Sequence, residues 1–226
     1  MTIEEKFATI KADIVASCKK VGRDPDRVHL VAVTKYVSIE TAREALDCGV
    51  DHIGENRVDS AVEKMEALGD RGSWHFIGSL QSRKVKGVVG RFHYLHSLDR
   101  MSLAKELHKR MPEGETMNCF VQVNVSGEES KSGLAPRDVQ AFIKEVRSYP
   151  AVRVIGLMTM APFVNDPEET RPSFRKLREL RDEIAAQQLE HAPCTELSMG
   201  MSNDYRIALE EGATFIRVGS ALVGGE

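Results

Sequence analysis

Eight short β-rich runs, each followed by a stretch of helical periodicity, constrain this chain more than any other feature. The runs span residues 28–34, 51–54, 74–77, 94–97, 119–125, 152–158, 196–199 and 214–218. Several are continuously apolar, as in Leu30-Val31-Ala32-Val33, which suits strands buried on both faces of a parallel sheet. Charged, periodic stretches lie between them, at 39–46, 58–68, 103–111, 139–146 and 174–184. Alternation of this kind allows a closed barrel or a doubly wound sheet. Two features favour the barrel. No G-x-G-x-x-G follows the first run, as a dinucleotide-binding half requires. The chain also opens with a helix, carrying Ile3, Phe7, Ile10, Ile14 and Cys18 on one face, that can cover the last strand and close the ring. The expected fold is a single α/β domain over residues 1–226, a (β/α)8 TIM-type barrel with an extra N-terminal helix. The 226 residues suit it without large insertions, since such barrels run to about 250.

Composition removes several classes of function. The net charge is −3, with both signs interspersed, so no basic stripe for nucleic acid is expected. No apolar run approaches the roughly 20 residues that span a bilayer, and residues 1–20 lack the continuous apolar segment of a signal peptide. Cys18, Cys48, Cys119 and Cys194 show no metal-ligand or CxxC spacing. Free thiols, a cytoplasmic location, no metal site and a monomer are the expectations.

In barrels of this type reactive groups sit at the C-terminal strand ends. Those ends carry Lys35, Glu55 with Asn56, Ser79 to Gln81, Ser97, Asn124 to Ser126, Met158 to Met160, Ser198 to Ser202, and Gly219 with Ser220. Lys35 directly follows a buried run. A lysine leaning into a barrel mouth is partly desolvated, which favours the neutral amine that attacks a carbonyl. A solvated lysine at a strand end is the other reading of the same position.

The last two strand ends add weight to the first reading. Glu196-Leu-Ser-Met-Gly-Met-Ser202 and Val218-Gly-Ser-Ala221 are small-residue turns whose amides can face a phosphate. A phosphate site after strands seven and eight recurs in this fold. Each turn alone is equally an ordinary tight turn; together they favour a phosphorylated ligand. Arg217, two residues before Gly219, points into the barrel by strand alternation. Buried there, it needs a partner: a ligand nitrogen, a ligand carboxylate, or a neighbouring acid such as Glu55.

These segments together resemble the YggS/PROSC family of pyridoxal phosphate homeostasis proteins. The likeness rests on Val31-Ala-Val-Thr-Lys35, Gly54-Glu-Asn56, Trp74-His-Phe-Ile-Gly78 with Leu80, Gln81 and Lys84, the loop Val123 to Gly133, Gly156-Leu-Met-Thr-Met160, Leu197-Ser-Met-Gly-Met-Ser202 with Asp204, and Arg217-Val-Gly219. It runs from about residue 28 to the end. The resemblance implies pyridoxal 5′-phosphate (PLP) held on Lys35 as a Schiff base. It implies that Ser198, Met199, Gly219 and Ser220 hold the phosphate, with Ser202 close by, Arg217 facing the pyridine nitrogen and Asn56 beside the ring. Ser220 stands where the family often has threonine and keeps the hydroxyl; Val223 stands where phenylalanine is common.

The same likeness implies a carrier rather than an ordinary PLP enzyme, with no catalytic residue, acting in vitamin B6 and amino-acid balance. PLP-dependent apoenzymes are the candidate recipients. PLP is the better electron sink when its ring nitrogen is protonated, and a cationic Arg217 disfavours that protonation. An amino-acid racemase, the alternative, needs a second base. In the related alanine racemases a tyrosine from an additional domain of the partner subunit supplies it. This chain stops at Glu226, so no such domain is expected, and Tyr36, Tyr94, Tyr149 and Tyr205 have no evident role as that base. A Schiff-base aldolase or another phosphate-binding barrel without PLP is the third possibility. Lys131 is either a solvated loop lysine or a group that attracts the anionic cofactor. Gln81, Arg83 and Lys84 are placed at the start of a helix on the rim. His75 is expected to be a satisfied structural histidine.

Overall fold

A computed structural model of the chain describes residues 1–128 and 132–224. Every one of the eight β-rich runs overlaps a strand. They are β1 (His29–Val33), β2 (His52–Glu55), β3 (Ser73–Phe76), β4 (Tyr94–Leu98), β5 (Met117–Gln122), β6 (Val152–Met158), β7 (Glu196–Ser198) and β8 (Phe215–Val218). All pair in parallel with their sequence neighbours, and β8 pairs back onto β1 to close the barrel. The helices are α1 (Ile3–Lys20), α2 (Ile39–Asp47), α3 (Val58–Leu68), α4 (Met101–Arg110), α5 (Pro136–Val146), α6 (Arg171–Ala185) and α7 (Tyr205–Glu210).

The N-terminal helix does not simply lie over the last strand. It packs chiefly on α7 and also on α2, the place a helix following β8 would take. The ring itself is closed by β8–β1 hydrogen bonds, including the His29 amide to the Thr214 carbonyl at 2.7 Å. A capping box holds the start of α1: the Glu5 amide donates to the Thr2 hydroxyl and the Thr2 amide to the Glu5 carboxylate. Asp13 anchors the helix on α7 by accepting from the Tyr205 hydroxyl and the Arg206 guanidinium.

The third unit departs from the helix expected at Gln81. The chain instead makes a 3-10 turn over Ser82–Gly87. Gly87 lies so close to α3 that an added Cβ would meet Val58 Cγ1 at 2.5 Å. Close approach of this kind favours a short, tight element over a full helix.

Two apolar regions hold the barrel. The larger lies between strands and helices, where α5, for example, buries Val139, Phe142, Ile143 and Val146 at three- and four-residue spacing. Burying each such side chain contributes about 1.5–3 kcal/mol. The smaller lies inside the barrel and consists of Val31, Phe120, Met158 and Phe215. Close strand packing is visible at Gly156, where a Cβ would sit 2.1 Å from the Glu196 carbonyl oxygen. All four cysteines are free. Among the described residues, no helix is long and apolar enough to cross a membrane.

Candidate cofactor site

A cavity of about 510 Å3 opens at the C-terminal ends of the strands. Lys35, Asn56, Ser202, Arg217, Gly219 and Ser220 all line it, so six of the eight site residues expected from sequence meet there. Ser198 and Met199 do not line it; both are fully buried. The Ser198 hydroxyl is committed to His96 and Arg217, and the Met199 amide donates to the Phe215 carbonyl at 3.1 Å. Ser198 supports the site from within the barrel, whereas Met199, just past β7, packs in the layer between strands and helices.

Lys35 leaves the end of β1 from a clamped position. The Thr34 amide donates to the Gly54 carbonyl at 3.1 Å, and the Thr34 hydroxyl donates to Glu55 Oε1 at 2.6 Å. Lys64, from α3, donates both to the Thr34 carbonyl and to Glu55 Oε1, the latter at 2.7 Å. Glu55 therefore belongs to Lys64 and Thr34, which removes it as the partner of Arg217. Lys35 itself is half-buried, with Nζ 5.0 Å from the centroid of the Tyr36 ring. Tyr36, Met160 and Phe163 form an exposed apolar rim around the cavity.

Asn56 follows β2 and lines the cavity, and its Oδ1 is buried without a hydrogen-bond partner. Buried polar atoms are nearly always paired, so this residue of the cavity wall holds an acceptor left unfilled. Asn56 is held by Gly78, where a Cβ would sit 2.7 Å from the Asn56 carbonyl oxygen.

Two turns build the opposite wall. Gly200 adopts φ +93°, and an added Cβ would meet Ala208 Cβ at 2.6 Å. Only glycine fits that combination. Asp204 then accepts from the Met201 amide at 2.7 Å. Burial pushes the Asp204 carboxyl up, against the opposing pull of that amide and of Arg217. From the second turn, the amides of Gly219 and Ala221 both donate to Ser202 Oγ at 3.3 Å. Those bonds are long, and an anionic oxygen at the same place would accept shorter, charge-assisted ones.

Arg217 forms the floor. It is 4% exposed, and its guanidinium donates to Ser198 Oγ and, at 3.0 Å, to the Thr159 carbonyl. Among the described residues no carboxylate pairs with it. Burial pushes it down to about 10, opposed by Asp204.

Gln81, Arg83 and Lys84 stay off the cavity; Arg83 donates to Gln81 on the surface at 2.8 Å. His75 is buried with both ring nitrogens hydrogen-bonded, as expected of a structural histidine. Lys131 lies outside the described residues. The sequence reading missed the other inward-facing histidines, His29, His52 and His96, and the floor residue Thr159. A signal was present: the histidines of the first four strands recur 23, 23 and 21 residues apart.

Comparison with known proteins agrees with this geometry. The family described as "Alanine racemase, N-terminal domain" matches residues 11–226. The chain is 42% identical over 222 residues to the pyridoxal phosphate homeostasis protein of Aquifex aeolicus, covering 97% of this chain and 96% of that protein. It is 39% identical to the protein of the same name from Pseudomonas aeruginosa, covering 99% and 95%. Among solved structures, PipY of Synechococcus elongatus with PLP bound superposes with a TM-score of 0.85 at 34% identity, covering 99% of this chain and all of that one. By these matches the chain belongs to the alanine racemase N-terminal domain family, in its branch of pyridoxal phosphate homeostasis proteins.

Proposed function

We propose that this protein binds PLP and acts in the cell's PLP and amino-acid balance as a carrier, without turnover. The observation that carries this is the meeting in one cavity of Lys35, Asn56, Ser202, the Gly219–Ser220 turn and the buried Arg217 guanidinium. The residues fit the cofactor. Lys35 supplies the amine for a Schiff base with the cofactor's aldehyde. Ser202, Gly219 and Ser220 hold the phosphate, with Ser198 and Met199 bracing the turn. Arg217 would face the pyridine nitrogen, and Asn56 would stand beside the ring.

When bound, PLP supplies an electron sink for carbanions at an amino acid's Cα. The residues around Arg217 restrain that use. A guanidinium donates and cannot accept, so it holds a ring nitrogen unprotonated. Nor does a tyrosine hydroxyl stand opposite Lys35 among the described residues. Tyr205 donates to Asp13, and burial pushes it up to about 12. Tyr94 stacks on His75 inside the barrel. Tyr36 lies on the rim beside Lys35 itself. The exposed rim suits brief contact with an apoenzyme that receives the cofactor, with the whole chain acting as one domain and as a monomer. The four free cysteines fit a reducing cytoplasm.

Titration with PLP and with pyridoxal, which lacks the phosphate, tests the site. Each charge-assisted hydrogen bond contributes about 1.5–3 kcal/mol, so pyridoxal is expected to bind at least about tenfold more weakly. Equal affinities would remove the phosphate turn from the site. The racemase alternative takes its support from the family match. Incubation of the PLP-loaded protein with L-alanine in D2O is expected to leave the Cα proton unexchanged; deuterium at Cα that depends on Lys35 would establish the enzyme instead.

A further inference from the structure

Four histidines inside the barrel take no part in cofactor binding as proposed. His29 opens β1, His52 opens β2, and His75 and His96 lie within β3 and β4. The strand register explains how they meet. His52 is level with Val31, two residues past His29. His75 is level with Gly54, two residues past His52, and His96 lies two residues past Tyr94, which is level with His75. A step of two keeps every side chain on the inner face. The ring nitrogens join in series: His29 Nδ1 to His52 Nε2 at 3.2 Å, His52 Nδ1 to His75 Nε2 at 2.9 Å, and His75 Nδ1 to His96 Nε2 at 2.8 Å. His96 Nδ1 meets Ser198 Oγ at 2.7 Å, and Ser198 Oγ accepts from Arg217. Phe120 and Phe215 wall this ladder, stacking on His96 and His29. The histidines are strung out and do not converge, and among the described residues no cluster suited to a metal exists.

Donor counting gives the ladder one direction. A guanidinium can only donate, so Ser198 Oγ accepts from Arg217; among the described residues His96 Nδ1 is the acceptor beside its hydroxyl, which donates there in the resting ladder. A neutral His96 then carries its proton on Nε2 and donates to His75, which donates to His52, which donates to His29. Burial keeps the interior members neutral: His75 and His96 are pushed well below the ordinary range, and His52 to about 4. Every acceptor end faces Arg217, so the ladder solvates a buried cation that no carboxylate among the described residues pairs.

We propose that His29, His52, His75, His96 and Ser198 form a hydrogen-bonded relay that couples Arg217, at the cavity floor, to solvent at the opposite mouth of the barrel. Half-buried His29 is the end of the relay where the cation comes to rest. Its Nδ1 takes the Nε2 proton of His52, whose Nδ1 takes that of His75, whose Nδ1 takes that of His96. His96 Nδ1 takes the hydroxyl proton of Ser198, and Ser198 is reprotonated through Arg217 from water in the cavity. His96 Nδ1–H then donates to Ser198 Oγ, whose own proton turns away. One proton has entered from the cavity, His29 carries it as imidazolium, and each other histidine keeps one proton on the opposite nitrogen. The groups facing the lower steps set the pH of the switch. For His29, burial disfavours the cation and Glu196 favours it. For His52, burial and the charges of His29 and His93 oppose the cation, and Asp51 favours it. Tyr94 stacks on His75, and Arg217 opposes a charge on His96.

The relay rests on contacts within the chain, so it is tested on protein without added cofactor, by 15N NMR of labelled histidine side chains across pH. At neutral pH, His52, His75 and His96 are each expected as the Nε2–H form, with couplings across the N–H···N bonds. As His29 titrates, His96 is expected to shift to the Nδ1–H form in the same pH window. In His52→Phe, which interrupts the ladder, His96 is expected to lose that response. Mixed forms at neutral pH, or a wild-type His96 unmoved while His29 titrates, would overturn the relay. The wild-type titration decides the matter even if His52→Phe does not fold. Failure of PLP to bind would count against the cofactor site and leave this result standing.

Discussion

Lys64→Met is expected to lower the stability of the fold by about 3–5 kcal/mol, measured by urea unfolding monitored at Trp74. Lys64 and Glu55 are 6% and 0% exposed at their side chains and pair at 2.7 Å. Methionine fills much the same volume but leaves the Glu55 carboxylate with the Thr34 hydroxyl as its remaining donor. Glu55 Oε2 already has no partner, so no spare donor stands by to compensate. An uncompensated buried charge is what makes a broken pair so costly; an intact pair stabilises far less. The double variant Glu55→Gln/Lys64→Met is therefore expected to recover a large part of the loss. If the single variant loses under 1 kcal/mol, the clamp is not what holds the end of β1. The same variant should also weaken PLP binding, since Lys64 fixes the carbonyl of Thr34, the residue before Lys35.

Lys35→Ala is expected to remove the visible absorbance of bound PLP altogether and to weaken binding by roughly a hundredfold, on the order of 3 kcal/mol. Binding need not vanish, because the Ser202–Gly219–Ser220 turn and Asn56 are untouched. The variant should unfold at nearly the wild-type denaturant concentration: Lys35 is half-buried and its ammonium makes one contact with an exposed ring, at 5.0 Å. Lost colour with unchanged stability separates an anchor from a structural lysine. Colour that survives the substitution would move the Schiff base to another amine.

Much of this was legible from residue order. The apolar run Leu30 to Val33 suited a strand buried on two faces, and Lys35 follows that strand at the barrel's C-terminal end. The paired small-residue turns at Gly200 and Gly219 carried the phosphate reading, and at Gly200 close packing against Ala208 requires glycine. Less could be read where outcome depends on register. Ser198 and Ser202 are both small hydroxyl residues of one turn, yet one lies beneath the cavity and the other lines it. The partner of Arg217 depended on which neighbour β2 and α3 had already claimed, and Lys64 had claimed Glu55. The histidine ladder left a trace in its 23-, 23- and 21-residue recurrence, but its contacts depend on register in the same way. Its members are far apart in sequence, and only the two-residue step between paired strands brings them into line.

The central claim is that Lys35 anchors PLP, and borohydride reduction followed by peptide mass spectrometry tests it most directly. Protein incubated with PLP and reduced should carry the phosphopyridoxyl group on the peptide containing Lys35, at one group per chain, and Lys35→Ala should carry none. Wild-type protein left unmodified, or labelled at other lysines while Lys35 stays free, would contradict the account.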